Sequence, residues 1–170
     1  MSTVIDTLIT DRTVFDVQYA IAQAQKGFAA MTADEKAEYL AGLKGVYEYV
    51  DRNRVGQALI YLEALLAEKD YGVVLPSTPK TDWTRADIPS ESQLADYLAN
   101  IVAIRNWLID INEAQAQVLP SLPATMRYIT YIDANAIEEI LIAAQEFIDS
   151  IVAVECGMGV QAGVVWEQIT

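Results

Sequence analysis

Two short segments of this chain recur later in it, in the same order. Residues 10–17 read Thr-Asp-Arg-Thr-Val-Phe-Asp-Val, and residues 81–88 read Thr-Asp-Trp-Thr-Arg-Ala-Asp-Ile. Residues 49–53, Tyr-Val-Asp-Arg-Asn, return at 131–135 as Tyr-Ile-Asp-Ala-Asn. A repeated unit specifies packing surfaces before it specifies chemistry, so the sequence predicts a scaffold of two related units. Chance, or helix-start sequences common to many proteins, is the alternative explanation.

Signals for helix starts and stops are frequent along the chain. Short polar side chains stand just before runs of apolar residues with helical spacing, where they can accept hydrogen bonds from free backbone N–H groups. The predicted N-caps are Thr13, Thr32, Asp51, Ser90 and Asp133. Gly27 and the pair Lys44-Gly45 are predicted helix ends. The apolar residues that follow the caps recur every three or four positions, which indicates amphipathic helices.

The predicted fold is mainly α, with two pseudo-repeated helical units forming one bundle-like domain and extended or short β arms at both ends. Pro76 and Pro79 indicate extended backbone between the units. The first residues are β-branched, and the last mix glycine with β-forming residues. The predicted divisions are an N-terminal arm at 1–9, repeat 1 at 10–71, a linker at 72–80, repeat 2 at 81–154 and a C-terminal arm at 155–170.

The two arms are candidate contacts with partners, because an isolated strand on a helical body has unpaired backbone groups. The apolar residues predicted to make these contacts are Val160, Val164, Val165, Trp166, Val4 and Ile5. Two alternatives remain open for the ends of the chain. They could form a ribbon with each other, or the tail could be disordered.

Composition excludes several classes of function. The 24 acidic and 11 basic residues give a net charge of −13, which opposes direct binding to nucleic acid or anionic lipid. The chain has no histidine and one cysteine, so histidine-dependent catalytic sites and multi-thiolate zinc sites are ruled out. No segment has the length and hydropathy of a membrane span, and no leader peptide is evident. The sequence therefore predicts no catalytic residue, cofactor or metal.

Individual polar motifs favour structural roles over chemistry. Asp51 begins a segment that superficially resembles a calcium loop, but its fifth and twelfth positions carry aliphatic side chains, so helix capping is favoured. Glu138 and Glu139 are adjacent on a predicted helix and are interpreted as part of a solvated face. Asn53 and Asn135, two residues after the predicted caps, are expected to bond a neighbouring loop.

Several motifs of the chain are informative when taken together. They are Thr-Asp-Arg-Thr at 10–13, the run 31–45, Asp-Arg-Asn-Arg-Val at 51–55, Lys-Thr-Asp-Trp-Thr at 80–84 with Asp-Ile-Pro at 87–89, and 135–141. In combination they resemble a family of tail-region virion proteins from phages and prophages of gut Firmicutes. The resemblance covers residues 10–142. It implies a non-enzymatic structural or attachment role near the baseplate or tail fibre. The family's C-terminal segment is often an aromatic, glycine-rich hairpin, whereas Trp166 is the only aromatic residue after 154 here.

The resulting prediction is a structural virion subunit that forms homo-oligomers, contacts other virion proteins and is assembled in the cytoplasm of the host bacterium. The alternative is an acidic decoy or regulator that mimics nucleic acid and occupies a basic host protein. An enzyme built on carboxylates alone is disfavoured because the acidic residues are scattered.

Overall fold

The computed structural model describes residues 3–166, with side chains described through residue 151. The protein is mainly helical. Its helices are α1 Val14–Lys26, α2 Ala33–Ala41, α3 Tyr49–Glu68, α4 Glu91–Ile111, α5 Gln115–Val118 and α6 Tyr131–Trp166. Short 3-10 turns occur at Val4–Thr7, Phe28–Ala30 and Met126–Tyr128. Residues 3–166 contain no β-strand.

Three of the predicted N-caps occupy the cap position. The hydroxyls of Thr13, Thr32 and Ser90 each accept a hydrogen bond from the backbone N–H three residues later. α1 ends at Gly27, whose φ of 75° is the left-handed conformation that glycine tolerates. α2 ends earlier than predicted, because Gly42 with a φ of 104° stops it before Lys44-Gly45.

Asp51 and Asp133 are not N-caps, contrary to the prediction. Asp51 is the third residue of α3, and its carboxylate accepts a hydrogen bond from Glu48 N at 2.8 Å. Asp133 has the same position in α6 and accepts from Thr130 N at 2.7 Å. An aspartate at either the cap or the third position can bind a free N–H group of the first turn. The sequence signal therefore located the helix start only to within a few residues.

The three long helices α3, α4 and α6 run parallel to one another. At their N-terminal ends, Arg54 of α3 binds Glu138 of α6 at 3.0 Å, and Tyr97 of α4 bonds to Tyr47 just before α3. At the other end, the ring of Trp107 of α4 lies 5.7 Å from that of Tyr71, just after α3. It lies 6.1 Å from the ring of Phe147 of α6. Parallel helices require connections that return along the bundle.

Three mostly non-helical segments, here called straps, lie along the bundle. The first strap is residues 3–13, the second is 69–90 and the third is 112–130. The second and third straps make the returns from α3 to α4 and from α4 to α6, and the third includes the short helix α5. The second strap lies between α3 and α4, since Leu75 N donates to Glu63 of α3 and Ser77 N donates to Asn100 of α4. Gly56 lets this strap approach α3 closely, because a Cβ there would lie 2.8 Å from Lys80 O.

The core lies between the long helices and continues under the straps. Its largest fully buried apolar side chains come from α3, α4 and α6: Val55, Leu59, Leu62, Leu66, Ile101, Ile104, Leu108, Ile137, Ile140, Leu141 and Ile148. Burial of an aliphatic side chain of this size stabilises a fold by about 1.5–3 kcal/mol. The parallel arrangement therefore depends on three apolar faces that converge on one axis.

The ends of the chain differ from the predicted arms. Val4–Thr7 is a 3-10 turn with Ile5 buried in the core, so residues 3–9 form neither a free arm nor a strand, while residues 1 and 2 of the predicted arm lie outside the described residues. α6 continues to Trp166, so the backbone of 155–166 is helical and the predicted boundary at 154 falls inside a helix. Residues 167–170 of the predicted C-terminal arm lie outside the described residues. Helix continuation pairs the backbone groups of this segment within the helix itself, whereas an isolated strand would leave them unpaired.

Candidate functional site

Arg12 links the first strap to two helices through a buried charge cluster. Its Nη2 donates to Asp51 Oδ1 at 2.8 Å and to Glu138 Oε1 at 2.6 Å. Its other terminal nitrogen donates to the carbonyl of Ile9 in the same strap. The side chains of Arg12 and Glu138 are 1% and 0% exposed, so both charges are removed from water. One guanidinium thus fixes the relative position of the strap, α3 and α6.

A second guanidinium completes the cluster. Nη2 of Arg54 donates to Asp51 at 2.6 Å and to Glu138 at 3.0 Å, while its Nε donates to Glu138 Oε2 at 3.2 Å. The same Oε2 accepts from Ile9 N at 2.6 Å. Two arginines face two carboxylates, so the formal charge of the cluster is zero. Such a pairing offsets much of the cost of burying ions.

Burial and charge in this region shift the pKa values of neighbouring groups. Burial disfavours the charge on Arg54, but the bonds and charges of Glu138 and Asp51 outweigh it, so the pKa of Arg54 is raised. Burial also raises the pKa of Tyr97 well above its ordinary value, and the adjacent hydroxyl of Tyr47 adds to the rise. Because both shifts favour the protonated forms, Arg54 stays positively charged and Tyr97 stays neutral near neutral pH.

Two asparagines bind strap backbone in the same way. Asn135 of α6 accepts from Arg12 N at 3.1 Å and donates to Arg12 O at 2.9 Å. Asn53 of α3 accepts from Trp83 N at 2.7 Å and donates to Trp83 O at 2.8 Å. The prediction that these asparagines bond a loop is confirmed. Each amide satisfies both backbone groups of one strap residue, which fixes the register of that strap.

The interpretation of Glu138 as a solvated residue was wrong. Its neighbour Glu139 is exposed, but Glu138 points into the bundle and is fully buried. Sequence reasoning also missed the pairing of Arg12 and Arg54. The recurring segments gave no clear signal for the cluster. Arg12 corresponds to Trp83 at a spacing of 71, but Asp51 corresponds to another aspartate, Asp133, at a spacing of 82.

The predicted partner contacts fall into two groups. Val4 packs against the core and Ile5 lies within it, so the structure gives both an intramolecular role. Val160, Val164, Val165 and Trp166 lie in the distal part of α6, outside the residues whose side chains are described. These four residues therefore remain a prediction.

Among the described residues, no three acidic or cysteine side chains converge in a way that could hold a metal ion. None of the helices in this part of the chain has the length and hydropathy needed to cross a membrane. Comparison with known protein families, curated proteins and solved structures returns no significant match.

Proposed function

We propose that this chain is a non-enzymatic structural subunit of a phage virion or tail-like particle, in the tail, baseplate or fibre-attachment region. The assignment to a phage rests on the sequence motifs that resemble tail-region virion proteins. The structural role is supported by one observation, the fixing of straps to helices by Arg12, Asn53 and Asn135. A subunit that transmits force between neighbours needs a body whose segments do not slide.

We further propose that the body consists of two pseudo-repeated units, 10–71 and 81–154, that exchange their straps. In support, the first strap is bound by Asn135 of the second unit, and the second strap by Asn53 of the first. The buried face of α3 also recurs in α6 at a spacing of 82: Val55, Leu59, Leu62 and Leu66 correspond to Ile137, Leu141, Ala144 and Ile148. Exchange of equivalent segments joins two units as it joins two chains in a swapped dimer.

In this proposal the charge cluster contributes more to selecting one folded arrangement than to the free energy of unfolding. Replacing a buried ion pair with apolar residues is often neutral or stabilising, whereas removing one partner costs about 3–5 kcal/mol. Asp51 and Glu138 lie on different helices, so the Arg12 side chain can bind both carboxylates in only one position of the first strap. The proposed advantage is that the first strap packs in a single register. In a chain with recurring segments, more than one register would otherwise be possible.

Docking to neighbouring subunits is proposed to use the distal part of α6 in place of an extended arm. Residues 152–166 carry one charged side chain, Glu155, among apolar and small residues. Val160, Val164, Val165 and Trp166 are the proposed contacts with other virion proteins. A helix with so few charged residues is stable in water only when most of its surface is covered.

The proposal is tested in particles. Particles are purified on a density gradient from bacteria that carry this gene, and their proteins are quantified by mass spectrometry. We expect the chain at a fixed ratio to other particle proteins, and we expect a chain lacking residues 155–170 to be lost from particles. Circular dichroism of the truncated chain is the control for folding. Full-length protein found only outside particles would overturn the proposal.

A nucleic-acid-mimicking decoy is the second candidate, favoured by the charge outside the buried cluster. The cluster uses two basic and two acidic residues, so the whole net charge of −13 belongs to the rest of the chain. A decoy would bind a basic bacterial protein as a monomer, and 0.5 M salt would release it. Removal of residues 155–170 would leave that binding unchanged, whereas the virion role requires them.

A further inference from the structure

One face of α4 is open between the second and third straps. Leu94, Leu98 and Val102 form the floor of a groove there, with Pro76 and Met126 in its walls. The groove has a volume of about 970 Å³. Val102 is 36% exposed, and Leu94 and Leu98 are half-buried. Contiguous apolar surface of this kind marks a place where another segment docks.

The dimensions of this α4 groove suit a helix. It extends from Glu91 to Asn106, which is about 22 Å at 1.5 Å per residue. Ala95, Ala99 and Ala103 line it at intervals of four. Because these side chains are short, a second helix can approach α4 closely. A helix of about 15 residues would fill the length of the groove.

We propose that the α4 groove binds residues 152–166 of a second copy of this chain. This segment has 15 residues, is helical and carries a single charge at Glu155. It is rich in small residues that match the alanines of the groove: Ala153, Gly157, Gly159, Ala162 and Gly163. Contact would cover apolar surface on both partners. The inference deepens the proposed structural role and names how its copies associate.

The direction of α6 favours a second copy over the chain's own tail. α6 runs parallel to α4, and Phe147 already lies against Trp107 near the C-terminal end of α4. Residues after 151 therefore continue past that end, while the groove begins at Glu91 at the opposite end. Reaching its own groove would require the chain to break α6 and reverse direction.

Charge at one end of the groove sets the orientation. Arg127 lines both the groove and an adjoining cavity that includes Pro89 and Leu94, so it lies toward the N-terminal end of α4, and Arg52 lines that cavity as well. The charge of Arg52 acts on Glu48 and Asp87 nearby, so Arg127 is the cation that lines the groove itself. Glu155 of the incoming segment would face it, since opposite charges fix register in an interface. The bound segment would then run parallel to α4.

The first test is the oligomeric state of the purified full-length chain, measured by size-exclusion chromatography with light scattering. We expect a defined oligomer, and we expect Val102→Glu to weaken association by roughly tenfold or more because it places a carboxylate in an apolar contact. Ile60→Glu is the control, since Ile60 is 42% exposed on α3, away from the groove. A monomeric wild-type chain, or equal effects of the two variants, would overturn the proposal.

The second test introduces no charge into the groove, so it does not require the protein to tolerate a carboxylate there. Ala95→Cys with Cys156→Ser is mixed with the wild-type chain, whose only cysteine is Cys156. Mild oxidation should join the two chains through residues 95 and 156. Gln57→Cys with Cys156→Ser, an exposed position on α3, should give no such product. Equal yields of cross-linked product from both mixtures would contradict the binding of residues 152–166 in the α4 groove. Absence of the cross-linked product would not change the result expected in particles. The groove contact and the virion role can therefore be disproved separately.

Discussion

The side-chain amide of Asn53 binds both backbone groups of Trp83, with Oδ1 2.7 Å from its nitrogen and Nδ2 2.8 Å from its oxygen. The two residues are 30 positions apart and belong to a helix and a strap. Trp83 is buried at 5% exposure, so its backbone groups depend on this amide for their bonds. The same geometry recurs between Asn135 and Arg12. Two equivalent amides thus hold two straps.

Removing either amide should destabilise the fold. Asn53→Ala and Asn135→Ala each leave a strap N–H and C=O without a partner, at a cost of about 1–3 kcal/mol in the free energy of unfolding. Urea denaturation followed by circular dichroism measures the change. Gln57→Ala, at an exposed position of α3 outside the groove, should stay within about 0.5 kcal/mol of wild type. Equal losses at all three positions would show that the two amides have no special role.

Adjacent glutamates should respond very differently to the same substitution. Glu138→Gln removes a buried charge that faces two arginines, so we expect a loss of about 3–5 kcal/mol in the free energy of unfolding. Glu139→Gln changes an exposed residue and should alter it by less than about 0.5 kcal/mol. Chemical denaturation at pH 7 compares the pair. A small effect at Glu138 would contradict the charge-balance argument.

Gly56→Ala should reverse the usual effect of this substitution. Alanine within a helix ordinarily stabilises it by about 1 kcal/mol relative to glycine. At position 56 the new Cβ would lie 2.8 Å from Lys80 O, so the second strap would have to move. We expect a lower melting temperature, measured by thermal unfolding. A higher melting temperature would mean that the strap is free to shift away.

Tyr97 should make the fold sensitive to alkaline pH. Burial raises the pKa of its hydroxyl in the folded protein, whereas an unfolded tyrosine ionises near pH 10. Since the folded pKa is the higher one, the stability is complete below about pH 10 and is lost as pH rises above it.

Tyr97→Phe removes this titration together with the bond to Tyr47, which costs about 1 kcal/mol at neutral pH. The urea midpoints of variant and wild type should therefore converge between pH 9 and 11, about the ordinary tyrosine pKa. Tyr128→Phe, at a residue 78% exposed, should leave the pH dependence unchanged. Parallel curves for Tyr97→Phe and wild type would refute this account.

Local rules predicted much of the secondary structure. Thr13, Thr32 and Ser90 were identified from short capping sequences, and Gly27 marks the end of α1. These signals act within one helical turn, so they can be read without knowledge of the fold. The errors at Asp51 and Asp133 are also local, because an aspartate binds the free N–H groups from either of two positions.

The candidate site was harder to predict. Asn53 and Asn135 were expected to bond a loop, but no pattern indicated which one. Glu138 follows an aliphatic residue and precedes another glutamate, a context typical of an exposed helix face. Its burial depends on Arg12, which is 126 residues away. Interactions at that separation leave no trace in periodicity.

The sequence alone thus determined where most helices begin, their amphipathic faces and the acidic character of the chain, since these follow from neighbouring residues and from composition. Tertiary structure decided that α3, α4 and α6 run parallel, that the straps return between them, and that Arg12 and Arg54 neutralise Asp51 and Glu138. The physical reason is desolvation. A charge remains in water unless a distant segment supplies its partner, and only the folded chain brings the two together.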